Sequence, residues 1–329
     1  MKYIEGISTD PYFNLAAEQY VFDVFPSSEE YFMLWQNDNA IIVGKYQNTV
    51  EEINAPFVEE HGIRVARRLS GGGAVYHDLG NLNYTLICDA GSDVSINMEK
   101  FCVPVVRALE SIGVKAEISG RNDMTIDGLK FSGNSQYVKR GRVMHHGTLM
   151  FDSDLEVVGR ALNVSQDKIR SKGVKSVKSR VTNIRGHLPR DMELSDFKDA
   201  LLRSMGLDSE SSRICFSDSD RAKIQKLCDE KYSTWEWNYG SSPACSIRKE
   251  RRIEGCGIVQ ISMDVNKGLI SGISISGDFF GSGEISDIEQ KLLGCRAERS
   301  ALENALSGTD VDYYFKNLTK DRLIDVILQ

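Results

Sequence analysis

Residues 67–84 read Arg-Arg-Leu-Ser-Gly-Gly-Gly-Ala-Val-Tyr-His-Asp-Leu-Gly-Asn-Leu-Asn-Tyr, and no other run constrains the chain as much. Gly71, Gly72 and Gly73 stand between an arginine pair, Arg67 and Arg68, and a strand-like apolar stretch. Backbone N–H groups in such a run can approach an anion with no Cβ in the way. The plain alternative is a flexible turn beside two solvated arginines. Two more glycine-containing segments weigh against it: Asp127-Gly128-Leu129-Lys130-Phe131-Ser132-Gly133-Asn134 and His145-His146-Gly147-Thr148-Leu149. The spacing matches neither G-x-x-x-x-G-K-[ST] nor G-x-G-x-x-G, which excludes the common nucleotide loops.

Working outward, Ile63 to Ala66 reads as a strand leading into the glycine run and Asn83 to Ile87 as one leading out. Upstream, Asp10-Pro11 sets a capping side chain before a first-turn proline and predicts a helix over 11–24. Tyr31 to Gln36 and Ala40 to Val43 read as strands joined in a hairpin by Asn37-Asp38-Asn39, and a helix ends near His61-Gly62. Downstream, the apolar spacing of Phe101, Val105, Leu109 and Ile112 predicts a helix over 98–112 stopped by Gly113. A hairpin about Asp127-Gly128 and a turn at 139–142 extend an antiparallel meander to Phe151, and helices are expected at 154–162, 195–205 and 218–231. Near Pro243 the texture changes to a hairpin about 266–268, followed by helical patterns at 284–293, 298–307 and 319–328. The expectation is a division into residues 1–245 and a small α+β unit, 246–329.

The 329 residues, 41% of them hydrophobic, suffice for a real core, and a net charge of −7 argues against general nucleic-acid binding. Neither a secretory leader nor a run of about 18 apolar residues is visible, so no membrane association is expected. Seven scattered cysteines without a C-x-x-C pair fit reduced thiols in a cytoplasmic protein better than disulfides or zinc.

Lys130 follows a tight turn and precedes Ser132-Gly133, so its ammonium should be held rather than floppy. A surface lysine beside a turn is the plain alternative, but a fixed cation near a glycine cradle would stabilise charge on an attacked carboxylate or α-phosphate. His145 and His146 are strand neighbours that point to opposite faces and cannot share a metal. His77-Asp78 offers a general base without a placed nucleophile. Lys168, Arg170, Lys172, Lys175, Lys178, Arg180 and Arg185 form a basic run free of acids, either a solvated loop or a mobile cover that closes over a phosphate-bearing intermediate or meets an acidic partner protein. Trp235, Trp237 and Tyr239 crowd together as a core plug or a pocket wall.

Together these segments resemble the lipoate–protein ligases of the long, two-domain bacterial type. The resemblance rests on Arg67 to Tyr84, Asn122-Asp123, Lys130-Phe131-Ser132-Gly133, His145 to Asp152, the 172–183 stretch and the tryptophan-rich run. It spans most of residues 1–245, and the C-terminal segment is similar to the family's accessory domain on weaker motifs.

The resemblance implies an α+β fold, a mixed and mostly antiparallel sheet flanked by helices, with a small α+β accessory domain. It implies activation of lipoate by ATP and Mg²⁺ to lipoyl-AMP and pyrophosphate, with octanoate as an alternative acid. Transfer to a lysine of an apo lipoyl domain follows, with the glycine-cleavage H protein or an E2 subunit as acceptor and a monomeric enzyme. By the same resemblance Arg68 and the segment Gly72, Gly73, Ala74, Val75 and Tyr76 contact the nucleotide. Lys130 bridges the lipoate carboxyl and α-phosphate oxygens. Asn83, Asp123 and His146 lie nearby, with Asp123 a candidate Mg²⁺ ligand. Lys172, Lys175 and Arg180 belong to a loop that covers the adenylate. A thioester-forming acyltransferase of the same fold needs a thiol in the central region, yet no cysteine lies between Cys102 and Cys215. A biotin ligase is disfavoured by the absence of a Gly-Arg-Gly-Arg loop, and a non-catalytic binding module by the filled motif positions.

Overall fold

The computed structural model describes residues 1–47, 49–90, 98–120, 122–162, 180–239, 247–266, 269–296 and 299–328. Among the described residues, eight strands form one sheet in the order β11-β1-β2-β6-β10-β9-β8-β7. They are β1 (Lys2–Glu5), β2 (Tyr31–Trp35), β6 (Asn81–Asp89), β7 (Glu117–Ser119), β8 (Asp123–Ile126), β9 (Leu129–Lys139), β10 (Arg142–Met150) and β11 (Arg213–Ile214). Pairing is antiparallel from β2 through β7, whereas β11, β1 and β2 run parallel, so the sheet is mixed as expected. A second sheet joins β3 (Ala40–Val43), β4 (Arg64–Arg67) and β5 (Val75–His77) in the order β4-β3-β5.

Local chemistry accounts for the connections. Asp10 caps the helix Pro11–Val24 by accepting from the Tyr12 and Phe13 N–H groups at 2.8 and 3.2 Å. Both Asp127 and Gly128 have positive φ, 51° and 75°, the backbone that a two-residue hairpin between β8 and β9 requires. The helix Met98–Ser111 buries Cys102, Val105, Ala108 and Leu109 against one face of the large sheet. The helix Pro11–Val24 covers the other face with Leu15, Ala16 and Val21.

One expected hairpin is corrected. β2 and β3 do not pair: β2 lies between β1 and β6 in the large sheet, whereas β3 lies between β4 and β5 in the small one. The cause is Asn37, which turns inward instead of capping a turn. It is fully buried, and its amide joins Asn14 at 2.9 Å and His77 at 3.1 Å, so the short link crosses from one sheet to the other.

A third sheet, β12 (Ile247–Ile253), β13 (Gly257–Asn266) and β14 (Leu269–Gly277), packs with the helices Ile285–Leu292, Arg299–Ala305 and Lys320–Leu328 around its own apolar core. Sequence reasoning missed β12 because four of its seven residues, Arg248, Lys249, Arg251 and Arg252, are basic and hide the alternation. This unit meets the rest at the glycine run: Tyr46 stacks on Phe279 at 4.9 Å, and the Gly72 N–H points at the Phe279 carbonyl at 3.4 Å. Among the described residues no helix is long and apolar enough to cross a membrane.

Candidate active site

Side chains alternate across the large sheet, and the alternation builds the floor of a cavity. Trp35, Asn83 and Thr148 stand side by side in one row, and Met33, Thr85, His146 and Ser135 in the next. Leu34, Tyr84 and Leu86, which interleave with them, point to the opposite face and join the core with Cys102, Leu109 and Phe131. The roof is the small sheet, with Ile42, Val75 and His77, together with Arg68 and the glycine run. Between floor and roof lies a cavity of about 380 Å³. Leu15, Trp35, Ile42 and Val75 make one part of its wall apolar, whereas Asn122, Asp123, Lys130, Arg180, Arg252 and Asp278 make another part charged or polar.

Lys130 is held as its position after a turn suggested. Its backbone N–H donates to the Arg180 carbonyl at 2.8 Å, its carbonyl accepts from Thr182 at 2.9 Å, and β8 pairs along its other side. The ammonium reaches Asp123 Oδ1 at 2.7 Å, with 36% of the lysine and 31% of the aspartate side chain exposed. It passes over Gly133, where an added Cβ would come within 3.0 Å of Nζ. Asn134 fixes the residue just before Asp123, at the start of β8: its Nδ2 donates to the Asn122 carbonyl at 3.2 Å, and Asn122 Nδ2 donates back to the Asn134 carbonyl at 3.0 Å. Arg180 lines the same cavity, whereas Lys172 and Lys175 lie outside the described residues.

The arginine pair under the glycines is buried, and its N–H groups turn to the protein. Arg67 donates to the carbonyls of Gly44, Lys45, Gln47, Trp237 and Asn238, and to Thr49 Oγ1 at 2.6 Å. Arg68 donates to the carbonyls of Ile42, Gly71 and Gly73 at 3.0, 2.7 and 2.8 Å, and to Ser70 Oγ at 3.2 Å. Desolvation lowers both guanidinium pKa values to about 10. Arg68 therefore braces the loop from within while it borders the cavity. Gly72 adopts φ +91°, a left-handed backbone, with the Arg68 guanidinium and the Phe280 ring 3.1 and 3.2 Å from where a Cβ would sit. Gly73, Ala74, Val75 and Asn83 also line the cavity, whereas Tyr76 turns its hydroxyl to Asn39 at 3.0 Å.

The two histidines face opposite sides, as neighbours on a strand must. His146 borders the cavity and links Glu18 Oε1, 3.0 Å from Nδ1, to Ser70 Oγ, 2.5 Å from Nε2, so the chain Glu18–His146–Ser70–Arg68 runs from helix to glycine run. His145 lies beneath the sheet against Phe101 and Tyr84, and burial depresses its pKa to about 3. Cys102 packs beside it, its thiol pushed up to about 11 by burial. Among the described residues no cysteine lines the cavity.

Sequence reasoning missed Trp35, Ser135, Thr148, Arg252 and Asp278 as cavity residues and left His77 as a bare possibility. Polar residues at every second position of central strands, Asn83 and Thr85 between Leu82, Tyr84 and Leu86, were the signal for a polar floor. Nothing local marked Arg252 or Asp278, which come from the third sheet and its outgoing loop.

Two family models together match most of the chain. The lipoyl protein ligase A/B catalytic domain matches residues 10–206, and the bacterial lipoate protein ligase C-terminus matches residues 242–327. The chain belongs to the lipoate–protein ligase family. It is 44% identical to lipoate–protein ligase 1 of Staphylococcus aureus, over 98% of this chain and 99% of that one. It is likewise 44% identical to the lipoate–protein ligase LplJ of Bacillus subtilis, over 97% of each. The crystal structure of P. falciparum LipL1 in complex with lipoate shares the fold, with a TM-score of 0.81 at 21% identity and coverage of 100% and 99% of the two chains.

Proposed function

We propose that the chain joins lipoate to protein in two steps in one cavity. The lipoate carboxylate attacks the α-phosphorus of ATP, forming lipoyl-AMP and releasing pyrophosphate. The amine of a lysine on an apo lipoyl domain then attacks the acyl carbon, loses a proton, forms the amide and expels AMP. A free carboxylate is a poor acyl donor, and the mixed anhydride supplies the leaving group.

The observation that carries this reading is the held ammonium of Lys130 at the polar part of a cavity whose other part is apolar. An alkyl tail fits against Leu15, Trp35, Ile42 and Val75, and the carboxyl then reaches towards Lys130. Lys130 would offset the charge that builds on the carboxyl and α-phosphate oxygens in both steps. The amides of Gly73, Ala74, Val75 and Tyr76, with Gly72 shaping the turn and Asn83 beside them, would receive the nucleotide, braced from behind by Arg68 and the His146 chain. Arg180, with Lys172 and Lys175, would cover the adenylate.

Asp123 suits a magnesium ion, which takes oxygen ligands and is commonly bound by one or two carboxylates plus substrate phosphates. The ion would neutralise phosphate charge, and Asp123 would then exchange its lysine partner for it. On this reading residues 1–245 carry both half-reactions and 246–329 form the accessory domain of a monomeric enzyme. Glycine-cleavage H protein and E2 lipoyl domains are the acceptors to try. Incubation with ATP, Mg²⁺, lipoate or octanoate, and each purified apo domain, followed by intact mass, tests the proposal. An acceptor gaining one lipoyl group with ATP consumed supports it; no lipoyl-AMP and no mass gain on any acceptor would sink it.

A further inference from the structure

His77 is only 3% exposed and borders the cavity, yet its Nε2 has no hydrogen-bond partner among the described residues. Bare buried nitrogens are rare, and one that lines a cavity points to something bound there. Its protonation follows from the neighbours. Asn14 Nδ2 donates to two main-chain carbonyls, Ser8 at 3.0 Å and Gln36 at 2.8 Å, so that atom is nitrogen. The Asn37 atom 2.9 Å from it is then the oxygen, which turns the Asn37 NH₂ towards His77 Nδ1 at 3.1 Å. Nδ1 accepts and the ring is neutral, so the proton sits on Nε2. Burial, with Arg68 and His146 nearby, keeps the ring in that form.

The position of this donor is specific. His77 shares a strand face with Val75, which pairs with Ile42, and its ring lies 6.3 Å from Trp35. These three neighbours are apolar lining residues, and the polar group of the floor nearest the ring, Asn83, lies on its Nδ1 side at 3.5 Å, which leaves Nε2–H without a partner among the described residues. We propose that His77 is a specificity-determining residue whose Nε2–H donates to a dithiolane sulfur of the acyl substrate and so favours lipoate over octanoate. The inference rests on the lipoate reading of the cavity. A thioether-like sulfur is a weak acceptor and packs well against an aromatic ring, whereas the end of an octanoyl chain accepts nothing and leaves the N–H bare. A site whose polar group is unmatched by the substrate discriminates against that substrate.

The test uses the full chain. In wild-type protein labelled with ¹⁵N-histidine, lipoate should shift the His77 Nε2–H resonance and octanoate should not. In kinetics with saturating ATP, His77→Phe should lower the ratio of kcat/KM for lipoate over octanoate by about 3- to 10-fold, the scale of one modest hydrogen bond. His77→Gln, which restores a donor, should recover part of the ratio. An unchanged ratio in folded His77→Phe, or equal resonance shifts with both acids, overturns the inference, as does a change confined to the KM for ATP. Should the variants not fold, the resonance experiment on wild-type protein decides alone. A wild-type chain that activates neither acid would fail the parent reading instead.

Discussion

Two cationic regions border the same cavity and are built on opposite principles. Under the glycine run, Arg67 and Arg68 are each 7% exposed, and their N–H groups go to main-chain carbonyls and to Thr49 and Ser70. At the other side Lys130 is about one-third exposed, clamped by its backbone, with an ammonium that meets the carboxylate of Asp123. Rigidity comes from the side chain in the first case and from the main chain in the second. A guanidinium with a fixed fork suits bracing a loop, whereas an ammonium on a long stem can change partner as charge develops.

The contrast is breakable by mutation. Arg67→Ala should destabilise the fold by about 3–5 kcal/mol, because several buried carbonyls lose their donor together, and urea unfolding measures this. Lys130→Met should leave the free energy of urea unfolding within about 0.5 kcal/mol of wild type, yet slow lipoate-dependent ATP–pyrophosphate exchange by about 10²- to 10³-fold. Were Lys130→Met strongly destabilised, or Arg67→Ala stable, the distinction between brace and reagent would fail.

The large sheet gives a second, smaller contrast between histidines that differ in access. His77 and His145 are both held near pKa 3 by burial, well below 6.5. The unfolded chain then binds more protons than the folded one between those values, so stability is full above about pH 6.5 and is lost as pH falls towards 3. The two together predict a slope that reaches roughly 3 kcal/mol per pH unit in the middle of that window, about half of it from each. His145→Gln should remove roughly half of the slope, read from urea midpoints at successive pH values. The smallest expected effect is at Gly72, where Ala must hold φ +91°. It should cost about 1–2 kcal/mol and raise the KM for ATP more than that for lipoate.

Much of the frame was legible in the sequence because its signals are local. Asp10-Pro11 announced the first helix, Asp127-Gly128 the β8–β9 hairpin and Gly113 the end of the helix over 98–111, and each works through its own backbone geometry. The Asn37 link was not legible, since a turn residue was expected where the amide instead pairs with Asn14 and His77 from distant segments. For the site, the glycine run and Lys130 stood out, but the bracing role of the arginines did not. Nothing within residues 67–73 reveals that the acceptors for Arg67 come from 44–49 and 237–238. The charged residues Arg252 and Asp278 reach the cavity from more than 90 residues beyond the last motif segment of the floor, at 145–152, and no short pattern can report that.

The link from Trp35 to Ala40 carries the chain directly from floor to roof and the three residues between His77 and Asn81 carry it back, so two short spacers together set the headroom of the cavity. Such a strut separates two properties that are usually entangled, the shape of a binding chamber and the chemistry of its walls. Lengthening both spacers by one residue would raise the ceiling while replacing no cavity side chain, which makes this pair of short links the natural dial for admitting bulkier acyl cargo.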